Sequence, residues 1–227
     1  GQGRLGQFSF LVLMFILMIV GIIYVEQGQR RIPIQFAKRV RGRKVMGGQS
    51  TYIPLKVNSA GVIPVIFATS VLFFPALIAT SLPQDNSITA GIRNWIDVNL
   101  ANSQGTSWFY IFFLGMLIIF FTYFYTTIQF DPVRQSDMIR RQGGFVPGVR
   151  PGISTTNYLS HIVTRITLPG SVFLASVAVL PSIASAIWDI PLGFGGISIL
   201  ITVGVALETM KQIESQLSMR NYEGFID

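Results

Sequence analysis

The sequence predicts an all-α membrane protein, a polytopic bundle of five transmembrane helices. Three observations predict it. Half of the 227 residues are hydrophobic and only 12% are charged, where a soluble domain carries about 25% charge. Five long apolar stretches recur along the chain. Nearly all the positive charge sits in alternate gaps between them.

A bilayer core is about 30 Å thick, so a spanning helix needs roughly 20 mostly apolar residues. Residues 8–25, 61–82, 108–130, 168–188 and 192–207 meet that requirement. The third segment is the clearest, with no charge along its length. The fifth is short, which suits a tilted or enclosed helix.

The charges give the orientation. Segment 26–57 holds Arg30, Arg31, Lys38, Arg39, Arg41, Arg43, Lys44 and Lys56, and segment 131–167 holds Arg134, Arg140, Arg141, Arg150 and Arg165. Tail 208–227 adds Lys211 and Arg220, whereas the opposite side has only Arg4 and Arg93. Cytoplasmic loops carry the Lys/Arg excess. Both basic loops and the C-terminus are therefore expected in the cytoplasm, and the N-terminus outside. A first span running inward needs something upstream to deliver its start to the outside. The expectation is the C-terminal part of a longer membrane protein, preceded by an odd number of spans. A small protein with an N-out first helix is the alternative.

Composition narrows the chemistry. The chain has no cysteine and one histidine, His161, so no Cys/His metal site is expected. No cofactor is expected either. His161 reads as a loop or helix-end residue. The net charge of +7 would suggest nucleic acid in a soluble protein, but orientation explains most of it here. Gly143-Gly144-Phe145-Val146-Pro147-Gly148 follows no predicted strand and contains a proline, so it reads as a turn and not a phosphate loop. The first four spans contain no Asp, Glu, Lys, Arg or His, and Glu208 marks the cytoplasmic end of the fifth. Coupled transporters place ionisable groups at mid-membrane. Ser70, Ser81 and Ser182 have no visible base. Neither a transporter subunit nor an enzyme is favoured, and no catalytic residue is assigned; a structural scaffold is the third reading.

The loops are built differently from each other. Residues 32–37 alternate in part and carry Pro33, which suits an edge strand. Residues 40–45 read as a basic hairpin tip and 47–55 as the return arm; a flexible basic linker is the alternative. Asp131-Pro132 ends the third span and begins a short helix over 133–142. Residues 145–152 are broken by Pro and Gly, and helix resumes over 154–168. Outside, an amphipathic helix is expected around 92–100, with Trp95 and Trp108 at the interface.

Two spans are unusual. The second opens Gly61-Val62-Ile63-Pro64-Val65-Ile66-Phe67-Ala68-Thr69-Ser70 and carries Pro75. Small residues, hydroxyls and proline fit either a helix facing a cavity or close small-residue packing. The fifth opens Gly193-Phe194-Gly195-Gly196-Ile197-Ser198-Ile199-Leu200-Ile201. Its aliphatics fit a pore constriction or simple packing.

The first loop reads Glu26-Gln27-Gly28-Gln29-Arg30-Arg31-Ile32-Pro33-Ile34-Gln35-Phe36-Ala37-Lys38-Arg39, and returns through Gly47-Gly48-Gln49-Ser50-Thr51-Tyr52-Ile53-Pro54-Leu55-Lys56-Val57-Asn58. With Ala60-Gly61-Val62-Ile63-Pro64, Phe145-Val146-Pro147-Gly148-Val149-Arg150-Pro151-Gly152 and Gly195-Gly196, the chain resembles the C-terminal half of the bacterial SecY family. The resemblance runs in order along essentially the whole chain. It implies one half of an inverted-repeat protein-conducting channel in the plasma membrane, spans six to ten of ten.

The resemblance also implies roles. Ile66 and Ile201 match an aliphatic pore ring. The second and third spans match one wall of a lateral gate, with Pro64, Phe67, Thr69 and Ser70 on it. Arg39, Arg41, Arg43, Lys44 and Arg150 match positions that dock the ribosome or the SecA motor. Lys44 stands where Arg is common, and loses bidentate geometry toward phosphate. Implied partners are SecE, SecG, SecA, the ribosome, nascent chains with their signal sequences, membrane lipids and the N-terminal half of the same protein.

Overall fold

The computed structural model describes residues 2–36, 39–41, 44–46, 50–81, 87–100, 107–188 and 195–223. In chain order the elements are α1 (Gln2–Gln27), β1 (Gln29–Phe36), β2 (Arg39–Arg41), β3 (Lys44–Met46), β4 (Ser50–Lys56), α2 (Ile63–Ser81) and α3 (Ser87–Asn99). They continue with α4 (Trp108–Gln129), α5 (Pro132–Arg141), β5 (Gly144–Phe145), α6 (Ile153–Trp188) and α7 (Gly196–Glu223). Helices α1, α2, α4, α6 and α7 are long and apolar enough to cross a membrane. Strands β1, β4 and β5 lie with α5 at one end of these helices, and α3 lies against α2 and α4.

The last two expected spans belong to longer helices. Segment 168–188 is the second half of one 36-residue helix, α6, which starts at Ile153. Pro169 and Pro181 lie inside it without ending it. From Gly196 on, segment 192–207 belongs to a helix that runs through most of the expected tail, to Glu223. Residues 189–194 lie outside the described residues. Hydropathy sees the membrane boundary, whereas a helix continues wherever no breaker stops it. His161 consequently sits on an exposed face inside α6, not in a loop.

Helix α6 is the hub, the most enclosed of the five, and packs against α4, α5, α7 and α1. On α4 the buried positions are Ile111, Leu114, Ile118, Thr122 and Thr126. Their spacing of three and four puts them on one face. The opposite face shows Phe112, Phe120 and Phe124, as a lipid-facing surface requires. The Thr122 hydroxyl donates to Ile118 O at 2.7 Å, so this buried hydroxyl is paired within its own helix. Met18, Ile22, Val65, Ala68, Leu72, Leu174 and Leu200 complete this membrane-level cluster. Lipid is as apolar as leucine, so close packing and not transfer from water holds it together.

A second cluster has different physics. Ile32, Ile34 and Leu55 of the sheet pack on Ile139 of α5, on Val146, and on Leu159 and Ile162 of α6. It joins the sheet and α5 to the first half of α6, and where such burial is from water each large side chain contributes about 1.5–3 kcal/mol. The sheet has the order β4-β1-β5 and is antiparallel throughout. That corrects two expectations. Pro33 is on the middle strand, not an edge strand, and Gly144-Phe145 form a third strand where a turn was expected. The middle strand tolerates Pro33 for a geometric reason. The ladder starts with Val57 N–H donating to Gly28 O at 3.0 Å, and bonding to β4 then alternates by two. Pro33 is out of phase with it, so its nitrogen faces away from β4. On that flank β5 pairs only with Gln35 and Phe36.

Candidate functional site

The apolar face of α2 is the first part of the candidate site. Its first turn holds Pro64, which is fully buried and removes no needed hydrogen bond there. Phe67 and Ile66 are exposed on the helix, Ile66 at 43%. The Phe67 ring lies 5.2 Å from Tyr125 and 6.2 Å from Phe121 of α4. Phe121 and Tyr125 are one turn apart, so they form a two-ring ledge. Thr69 donates to Ile66 O at 2.9 Å and Ser70 to the same carbonyl at 2.8 Å. Both hydroxyls are satisfied within their own helix, which leaves this face chemically apolar despite its composition. Phe121 and Tyr125 were not picked out from the sequence, because an aromatic ledge looks like lipid-facing aromatics until a partner helix is seated on it.

Helix α7 approaches this region through glycine. A Cβ on Gly204 would lie 3.2 Å from Val62 Cγ1, just ahead of α2. Ile201 is three residues before Gly204, and Ile66 is four residues after Val62. Helix periodicity places each isoleucine on the same face as its neighbouring contact residue. Successive spans alternate in direction, so both lie one turn further from the strand side. Ile201 is half-buried. At its start α7 sits in a notch of α6. Pro181 has no N–H, so Val177 O loses its helix partner. Gly196 packs against Val177 O, Ala178 O and the Pro181 ring. Any larger residue would push α7 out of that notch.

The basic layer is the second part. Strands β2 and β3 pair Arg39 with Met46 and Arg41 with Lys44, a hairpin that brings three of the expected docking cations onto paired strands. Arg43 lies outside the described residues. On the exposed face of the sheet, the Arg31 guanidinium stands 4.8 Å above the Tyr52 ring. Arg150 is exposed on the segment between β5 and α6, where Gly148 and Gly152 have φ of 83° and 112°, and Gly143 just before β5 has φ of 74°. Asp131 caps α5 by accepting from Val133 N–H at 2.9 Å. Among the described residues no group of His, Cys, Asp and Glu is placed to hold a metal ion.

The SecY family model matches residues 2–210. The chain belongs to the SecY family. It is 50% identical over 226 residues to the protein translocase subunit SecY of Streptomyces scabiei, covering 97% of this chain and 49% of that protein. It is 50% identical over 219 residues to the SecY of Mycobacterium tuberculosis strain H37Rv, covering 93% and 49%. The chain thus spans about half the length of the curated relatives it matches. Among solved structures it superposes on a protein-conducting channel with a TM-score of 0.58 and 17% identity, covering 95% of this chain and 51% of that one. A structure concerning the plug domain of the SecY protein gives a TM-score of 0.55 and 15% identity. At those identities the likeness is one of fold: a multi-pass helical membrane protein of the SecY type.

Proposed function

We propose that this chain is the C-terminal half of a bacterial protein-conducting channel, serving secretion across the plasma membrane and insertion into it. Its spans are six to ten of ten, with the strand side and the C-terminus in the cytoplasm. One observation carries the reading: half-identity to SecY translocase subunits along nearly the whole chain. The geometry supports a division of labour. Ile66 and Ile201 belong to an apolar constriction completed by the rest of the protein. Branched aliphatics exclude water and ions while fitting around any polypeptide, because they demand no fixed hydrogen bonds. The α2–α4 wall, with Pro64, Phe67, Thr69 and Ser70, is one side of a lateral gate through which signal sequences reach lipid.

The basic layer docks the energy source. Arg39, Arg41, Arg43 and Lys44 meet ribosomal RNA phosphates or the SecA motor, and Arg150 meets SecA. SecE and SecG are the membrane partners. The deciding experiment places Arg150→Glu in the full-length channel in proteoliposomes. SecA-driven translocation is expected to fall at least about tenfold, on the order of 1.4 kcal/mol, while the complex assembles at normal levels. Unchanged translocation at normal protein levels overturns the docking role of Arg150.

A further inference from the structure

A threonine or serine inside a helix ordinarily donates to the carbonyl three or four residues earlier in its own helix. Thr122, Thr164, Thr202 and Thr209 all follow that habit, each bonding four residues back. Among the described residues, two buried hydroxyls donate elsewhere. Thr155, in the first turn of α6 and 2% exposed, donates five residues back to Arg150 O at 2.9 Å. Ser136, in α5 and 3% exposed, donates across sixteen residues to Gly152 O at 3.1 Å. The two exceptions converge on one three-residue segment, Arg150-Pro151-Gly152.

The surrounding chain is held as firmly. Val146 is buried against the sheet and helices. Val149 N–H donates to Val146 O at 3.1 Å. Gly144 is seated so closely that a Cβ would lie 3.0–3.2 Å from Ile34, Phe36 and Ile139. Gly152 O also receives the N–H groups of Thr155 and Thr156 at 3.0 and 3.1 Å. Pro147 and Pro151 each fix a φ angle. The main chain is therefore fastened on both sides of a residue whose long cationic side chain stands in solvent.

We infer that Ser136 and Thr155 are positioning residues, which hold the backbone of Arg150 so that its guanidinium meets a carboxylate or phosphate on the docking partner without first ordering the loop. The inference rests on the docking role proposed above for Arg150. Its physical basis is preorganisation: a loop already fixed in its bound conformation loses less entropy on binding. The hydroxyls touch no partner, and act only through Arg150.

The test uses the full-length channel in nanodiscs, with Thr155→Val, Thr155→Ser, Ser136→Ala and Arg150→Glu compared. A spin label at position 150, introduced as Arg150→Cys, reports loop order in the Thr155 and Ser136 backgrounds. Translocation is measured against SecA concentration, and folded protein by size exclusion. Thr155→Val is expected to make the label mobile and to raise the half-saturating SecA concentration on the order of tenfold, with the maximal rate retained. Thr155→Ser restores both, because it keeps the hydroxyl, and Ser136→Ala gives a smaller shift in the same direction. Three results overturn the inference. In the first, Thr155→Val leaves the label ordered and half-saturation unchanged. In the second, Thr155→Ser is as impaired as Thr155→Val and folded protein is lost in both, which reduces Thr155 to packing. In the third, the label is mobile but docking is normal while Arg150→Glu still fails to dock, so only the positioning role falls. Normal docking by Arg150→Glu removes the docking role itself, and this inference with it.

Discussion

Asn58 Nδ2 donates to Glu26 Oε2 at 2.9 Å, joining the end of α1 to the approach to α2 across 32 residues of sequence. The same nitrogen donates to Gly61 O at 3.2 Å, where Gly61 turns with a φ of 63°. Asn58 is only 4% exposed. Both of its N–H donors are used on acceptors, which fixes the orientation of the amide. The β1–β4 arm enters and leaves the membrane-level helices through this joint, and Val57 O lies against Gly170 of α6 beside it.

Asn58→Ala removes both bonds and leaves Gly61 O and Glu26 without this donor. A loss of about 1–3 kcal/mol is expected. Asn58→Asp is expected to be worse near neutral pH, because it sets a carboxylate against a carboxylate and a carbonyl. Thermal unfolding of the full-length protein in nanodiscs ranks the two. An Ala variant as stable as the unaltered protein would show that the joint does not depend on this donor.

The glycines separate by what surrounds them. Gly196→Ala drives a methyl into Val177 O, a backbone atom that cannot swing aside. A cost of about 3 kcal/mol and a fall in folded protein are expected. Gly115→Ala meets only Val179 Cγ2 at 3.9 Å, an ordinary contact. It is expected to be neutral or stabilising, since Gly costs about 1 kcal/mol relative to Ala inside a helix. Equal yields for the two variants would contradict the α6 notch as the seat of α7.

Ile201→Asn tests the constriction. An amide there eases wetting, so single-channel ion conductance in planar bilayers should rise, and export of substrates with defective signal sequences should increase. Packing alone predicts a different result: less folded protein, with no gain in conductance per channel.

The hairpin is tested by charge reversal. Arg43→Glu combined with Lys44→Glu should weaken ribosome binding, because phosphates would meet acids. Binding of the unaltered protein should itself weaken as salt rises. A double variant that sediments with ribosomes as well as the parent does would move the anchor elsewhere.

Much of this was legible from one dimension because the bilayer is a one-dimensional constraint. Apolar run length set the five membrane helices, and the alternation of Lys and Arg set which loops share a side. The β1–β4 arm was legible for local reasons, the partial alternation of residues 32–37 and the basic turn over residues 40–45. The order β4-β1-β5 was not, because Gly144-Phe145 is too short to carry a strand signal and is a strand only by pairing with Gln35 and Phe36. Hydropathy could not show that α6 passes Pro169 and Pro181 unbroken, nor that Gly196, distant in sequence, seats against Val177 O beside Pro181. Nor could spacing reveal that Ser136 and Thr155 converge on the Arg150 segment, or that Asn58 reaches Glu26. Hydrogen bonds between distant residues leave no periodicity in a chain. Composition and order decided that this protein crosses a membrane and how often. Tertiary contact decided which carbonyls, glycines and hydroxyls hold its helices and its basic loop in place.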